Sequence, residues 1–107
     1  MRKLHLEIST ADASKSVEDY SKRLACKPCV VVPGEYALWR TDTINFSVRL
    51  DSTIASGSLR HLGWEDLGAE AFSFDTDVNG IVWETFSAEQ QADEIEEAWP
   101  GTGYVVS

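Results

Sequence analysis

Polar and apolar residues alternate from the start of the chain. Lys3, His5 and Glu7 fall on one side and Leu4, Leu6 and Ile8 on the other, the period-two pattern of a strand with one polar-lined face. Asp12 then stands where a helix cap belongs, and Ala13, Val17, Tyr20 and Leu24 form an apolar stripe at helical spacing, which predicts a helix over 13–24. Three short strands follow at 29–32, 35–40 and 43–50, separated by Pro33-Gly34 and by Thr41-Asp42. The predicted order is βαβββ, ending near Leu50.

A polar loop at 51–56 leads to a second start. Arg60-His61-Leu62-Gly63-Trp64, within a strand predicted over 57–65, nearly repeats Leu4-His5-Leu6-Glu7-Ile8. Only six residues then separate Glu65 from Phe72, too few for a crossover helix, so the chain passes directly into strands at 71–75 and 80–86 around Val78-Asn79-Gly80. The second module has thus lost its helix and, by its length, a strand. Ser87 and Gln90 form a capping box for a final helix over 88–98, with a stripe of Ala88, Ala92, Ile95 and Trp99 that could replace the missing cover. Pro100-Gly101 stops it, and Tyr104-Val105-Val106 is expected either to add an edge strand or to cross to a partner. The fold class expected is α+β: one domain over 1–107, built from a βαβββ module (1–50), a shortened second module (57–86) and a C-terminal helix (87–99), its sheet curved around a cleft.

The 107 residues are 43% hydrophobic, with four Trp, four Phe and three Tyr, enough for a modest core. Trp39, Phe46, Trp64, Phe72 and Trp83 are expected in the core or at an interface, with one or two of them, or Tyr36, lining a small pocket. Charge is segregated. All nine Lys and Arg lie at or before Arg60, alongside seven acidic residues, whereas 61–107 carries eleven acidic residues and no Lys or Arg. Such a surface repels polyanions, so no nucleic-acid or anionic-membrane partner is expected. The acidic stretch reads as a solvated helix or as one side of a charge-complementary subunit contact. No run of 18 apolar residues occurs and the start reads as an amphipathic strand, so a cytoplasmic protein is expected.

Cys26-Lys27-Pro28-Cys29 has the spacing of a redox motif, but it follows a predicted helix instead of opening one, and no second thiol pair completes a zinc site. Both cysteines are read as small apolar loop residues. The chemistry concentrates elsewhere. His5 and His61 are the two histidines of the chain, at matching points of repeated strands, and would converge if those strands lay side by side about a local twofold. Glu84, a carboxylate in an otherwise apolar segment with Ile81, Val82, Trp83 and Phe86, is the best third ligand. Two neutral imidazoles and one carboxylate hold a divalent metal while leaving positions open for substrate, water or dioxygen. Packed or hydrogen-bonded histidines are the plainer alternative. Glu7 and Glu65 flank the histidines on the same faces and are read as solvated carboxylates, with a supporting or basic role as the alternative.

The chain resembles the vicinal oxygen chelate superfamily of glyoxalase I, bleomycin-resistance proteins and extradiol dioxygenases. Lys3-Leu4-His5-Leu6, Tyr20-Ser21-Lys22, Tyr36-Ala37-Leu38-Trp39, Gly57 to Gly63 and Asn79-Gly80-Ile81-Val82-Trp83-Glu84 carry the resemblance over 2–86, with a gap. It implies metal ligands from the first strand of each module and the last strand of the second, here His5, His61 and Glu84, with a fourth family position falling near Ser47, a poor ligand. The phrasing is most similar to the cadmium-induced-protein and organoarsenical-lyase branch, which implies Fe(II) as the favoured ion, with zinc, manganese or nickel as alternatives. That branch's arsenical-binding cysteines lie in the missing stretch, and Cys26 and Cys29 fall in another loop.

Two functions are therefore expected. One is a metal-dependent dioxygenase or lyase acting on a small molecule that chelates through vicinal oxygens. The other is a metal-free binding module that sequesters a small molecule. In either case the shortened module is expected to expose sheet edge and favour a homodimer, with exchange of the C-terminal segment as one form of it.

Overall fold

A computed structural model describes residues 2–107. The elements are β1 (Arg2–Thr10), α1 (Ala13–Arg23), β2 (Val30–Val32), β3 (Tyr36–Arg40), β4 (Ile44–Leu50), β5 (Leu59–Asp66), β6 (Ser73–Thr76), β7 (Val82–Phe86) and α2 (Ala88–Ala98). All seven strands join one mixed, open sheet in the order β2-β3-β4-β1-β5-β7-β6, an α+β fold.

The order resolves into two related halves. β1 runs parallel to β4, which pairs antiparallel with β3, and β3 pairs with β2. In the second half β5 runs parallel to β7, and β7 pairs antiparallel with β6. This is the first arrangement without its helix and outermost strand. The halves meet where β1 and β5 pair antiparallel with Leu6 opposite Leu62, so a local twofold passes through that pair, setting His5 opposite Gly63 and Glu7 opposite His61. The same relation makes Ser47, beside Glu7, the counterpart of Glu84, beside Gly63.

Alternation along β3 divides the interior into two layers. Ala37 and Trp39, fully buried, join Phe46 and Val48 beneath α1, which adds Val17 and Tyr20, with its C-cap Leu24 alongside. Tyr36 and Leu38 point the other way and meet Ile95 of α2, with Trp99 and Tyr104 packed alongside. Ile95 and Gln91 are the buried residues of α2. The last helix therefore covers the cleft face of the first module and does not replace the helix missing from the second; its stripe fits the groove beside Tyr36 and Leu38, on the opposite side of the sheet. The 104–106 tail forms no strand; Tyr104 packs into the α2 layer instead.

Both helices begin as expected. The Asp12 side chain accepts from the Lys15 N–H at 3.0 Å, and Ser87 and Gln90 cap reciprocally. No helix among the described residues is long and apolar enough to cross a membrane.

Candidate metal centre

The antiparallel register sets His5 and His61 diagonally across one ladder, on the same face, and their Nε2 atoms are 2.9 Å apart. Glu84 reaches in from β7, with Oε1 at 3.1 Å from His61 Nε2 and 4.0 Å from His5 Nε2. A point about 2 Å from all three atoms exists within that triangle, matching the bond length a divalent transition metal makes to imidazole nitrogen and carboxylate oxygen. The donor set fits such an ion. Gly63 makes the geometry feasible: a Cβ there would overlap the carbonyl oxygen of Glu84, so only glycine lets β7 approach closely enough. Ser47, at the place equivalent to Glu84, donates its hydroxyl to Glu7 at 2.7 Å, leaving three protein donors.

Buried polar partners aim the ligands. His5, 2% exposed, turns Nδ1 toward the carbonyl oxygen and Oδ1 of Asn45 at 3.1 and 2.8 Å. Both are acceptors, so Nδ1 carries the proton and the Nε2 lone pair faces the centre. Asn45 is held by its own donations from Nδ2 to Glu65 Oε1 and Gln91 Oε1, each 2.8 Å. Arg40 clasps both oxygens of Glu65 at 2.8 and 2.9 Å. A chain from Arg40 through Glu65 and Asn45 thus fixes the His5 ring. On the other flank Glu7 Oε2 accepts from Arg60 Nε at 3.0 Å, and Arg60 also reaches Asp51 at 3.4 Å. Glu7 and Glu65 are therefore buried and paired, not solvated as expected; each lies on the cleft face, where a guanidinium compensates its lost hydration.

Burial shapes the protonation of the three ligands. It pushes the His61 imidazole down to about 4, against the pull of Glu7 and with help from His5. It lowers His5 as well, opposed by the Asn45 hydrogen bond. Glu84 moves the other way, up to about 7, through burial and then the nearby charges of Glu7 and Glu94. At neutral pH the imidazoles are therefore neutral, and Glu84 is poised near the midpoint of its titration.

The centre opens into a cleft of about 270 Å³. Phe72 stacks on Phe86 with centroids 5.6 Å apart, Phe86 meets the His5 ring edge-on at 4.9 Å, and Trp99 and Arg49 lie farther along the wall. Of the aromatics singled out, Trp39 and Phe46 are core, Trp64 and Trp83 pack together on the sheet with centroids 6.2 Å apart, and Phe72 lines the cleft. Cys26 and Cys29 are unpaired; burial raises the Cys29 thiol, and neither lines the cleft. The sequence reading missed Asn45, Arg49 and Gln91. The first two carried a signal: Asn45, Ser47 and Arg49 alternate on one strand and mark a polar face. Gln91 sits between Ala88 and Ile95 on an otherwise apolar stripe, a weaker sign of a buried partner.

No protein-family model matches the chain, and no curated protein matches it in sequence. Among solved structures it is similar to a hypothetical protein from Staphylococcus aureus, with a TM-score of 0.57 and 11% identity over 80% of this chain. The chain spans about a third of that protein, 34% of its length. At that identity the likeness concerns the fold alone.

Proposed function

We propose that this protein binds a divalent metal through His5, His61 and Glu84 and acts as a metal-dependent enzyme of the vicinal oxygen chelate type, a dioxygenase or lyase whose small substrate offers two adjacent oxygens. The observation carrying the proposal is the triangle of two imidazole nitrogens and one carboxylate oxygen around a point at bonding distance from each. Fe(II) is favoured by the donor set, which also suits zinc, manganese or nickel. When bound, the ion would polarise substrate oxygens and stabilise negative charge developing on them. The chain's own residues do the rest. His5, locked by Asn45, and His61 would supply neutral nitrogens and Glu84 a carboxylate oxygen, while Phe72, Phe86 and Trp99 give the cleft an apolar stretch of wall. We place the protein in the cytoplasm as part of the same reading.

Metal analysis of protein purified without chelator, followed by oxygen uptake with candidate chelating substrates under Fe(II) loading, tests the proposal. One tightly held equivalent that is lost in His61→Ala supports it. Stoichiometric metal retained by His61→Ala overturns the ligand assignment. A second reading, a metal-free sequestering homodimer, draws on β6: this edge strand is exposed along its length, with Phe74 71% exposed at the cleft mouth, a surface a second copy could cover. Absence of bound metal together with a dimer that takes up aromatic ligands would favour it.

A further inference from the structure

The cleft holds two guanidiniums in different states. Arg60 is neutralised by Glu7 and Asp51. Arg49 has no ion pair among the described residues, although it belongs to a chain of net charge −9 and lies on the wall of a cleft that also contains carboxylates. Its Nε is buried without a hydrogen-bond partner among the described residues. The guanidinium is nonetheless fixed in place, its Cζ lying over the Trp99 ring at 4.7 Å from the centroid. Glu94, the acidic residue of α2 on this wall, is exposed and stands beyond ion-pair distance of Arg49. A charged fork that is held over an aromatic ring, partly desolvated and without an ion-pair partner costs free energy unless a ligand supplies one.

Building on the metal reading above, we infer that the ligand of this cleft is a small organic anion whose carboxylate, or similar flat oxyanion, seats on Arg49 while its opposite end faces His5, His61 and Glu84. Two features set the class. A guanidinium matches a carboxylate with two parallel hydrogen bonds, which a neutral amide cannot reproduce. The whole cleft is small, about 270 Å³, and Phe72, Phe86 and Trp99 form part of its wall, so a ligand spanning it is compact, with an apolar or aromatic body. Arg49 is then the specificity-determining residue; it forms no hydrogen bond or ion pair with the three ligands among the described residues, although its charge reaches Glu84 and His61.

The test compares benzoate with benzamide, a neutral molecule of nearly the same shape, by NMR titration of the intact protein, alongside separate zinc titrations. Benzoate is expected to bind about tenfold tighter or more, the usual worth of a charge-assisted pair over a neutral contact. Arg49→Gln is expected to erase that preference while leaving zinc stoichiometry at one. Arg49→Lys, which keeps the charge but loses the fork, is expected to fall between them. Benzamide binding as tightly as benzoate to the wild-type protein overturns the inference, and this arm does not depend on any variant folding. So does an undiminished benzoate preference in folded Arg49→Gln. Benzoate selectivity lost in Arg49→Gln with no zinc bound by either protein would refute the metal reading and leave the anion site standing.

Discussion

The two halves of the sheet share a topology and divide the labour. In the first, α1 seals Trp39, Ala37 and Val48 completely from solvent, and α2 seals Leu38 and Tyr36 on the other side. In the second, no helix among the described residues covers the outer face, Trp64 and Trp83 remain half-buried, and β6 is exposed throughout. Yet the thin half supplies two of the three candidate ligands. Where the first half has Ser47 hydrogen-bonded to Glu7, the second has a carboxylate aimed into the cleft and a glycine that lets it approach. Stability and chemistry have separated across a local twofold that began with equivalent positions.

The largest consequence is in stability. Trp39→Ala removes a ring with no exposed surface and should cost about 3–5 kcal/mol, whereas Trp83→Ala, on the uncovered face, should cost about 1–2 kcal/mol. Urea unfolding of the two variants checks the contrast. Equal losses would mean that the second half is covered in solution, by another copy of the chain or by a ligand.

Gly63→Ala addresses the chemistry of the thin half. The added methyl would meet the Glu84 carbonyl, so β7 must move outward and carry the carboxylate away from the histidines. We expect metal affinity to fall by about 10–100-fold, measured by competitive chelator titration. Unchanged affinity would show that Glu84 is not a ligand.

Much of this was legible in the chain. The repeat around His5 and His61, the short distance from Glu65 to Phe72 and the capping box at Ser87 outlined the order of elements, and the carboxylate of Glu84 in an apolar segment named the third side chain that joins the two histidines. What the pattern could not supply was partnership. Glu7 and Glu65 look like solvated carboxylates because their guanidinium partners, Arg60 and Arg40, are 53 and 25 residues away in sequence. The side of the sheet that α2 covers was equally hidden, since an amphipathic stripe specifies a buried face but not the groove that receives it.

The dependence of metal binding on pH sharpens the comparison, because Glu84 titrates where its counterpart Ser47 cannot. With Glu84 raised to about 7, its proton competes with a bound ion below that pH. Affinity should therefore climb by about tenfold per pH unit up to about 7 and flatten above it. Without metal the sign reverses for stability. A carboxyl whose folded pKa is raised stabilises fully below its ordinary value of 4.5, and that contribution is lost as pH rises through about 7. His61 acts oppositely: its contribution is present above 6.5 and is lost as pH falls through about 4. Metal affinity that keeps climbing steeply above pH 8 would assign the competing proton to a different group.

The smallest expected effect distinguishes the ends of the two helices. After α1 the chain turns through Ala25 at a φ of +49°, with the Cys26 N–H bonded to the Ser21 carbonyl and the Ala25 N–H to that of Lys22. This helix-ending motif prefers glycine at the left-handed position, because a Cβ there crowds the neighbouring backbone. Ala25→Gly should raise stability by about 0.5–1 kcal/mol, the relief of strain being partly offset by the greater freedom glycine gives the unfolded chain. Beyond α2 the left-handed position is already Gly101, at a φ of +91°, so Gly101→Ala should lower stability by a similar amount. Opposite shifts in urea midpoint, with metal binding unchanged in both, would show that these turns act on the scaffold and not on the centre. A change in metal affinity in either variant would couple the helix ends to the cleft and break the division between the halves.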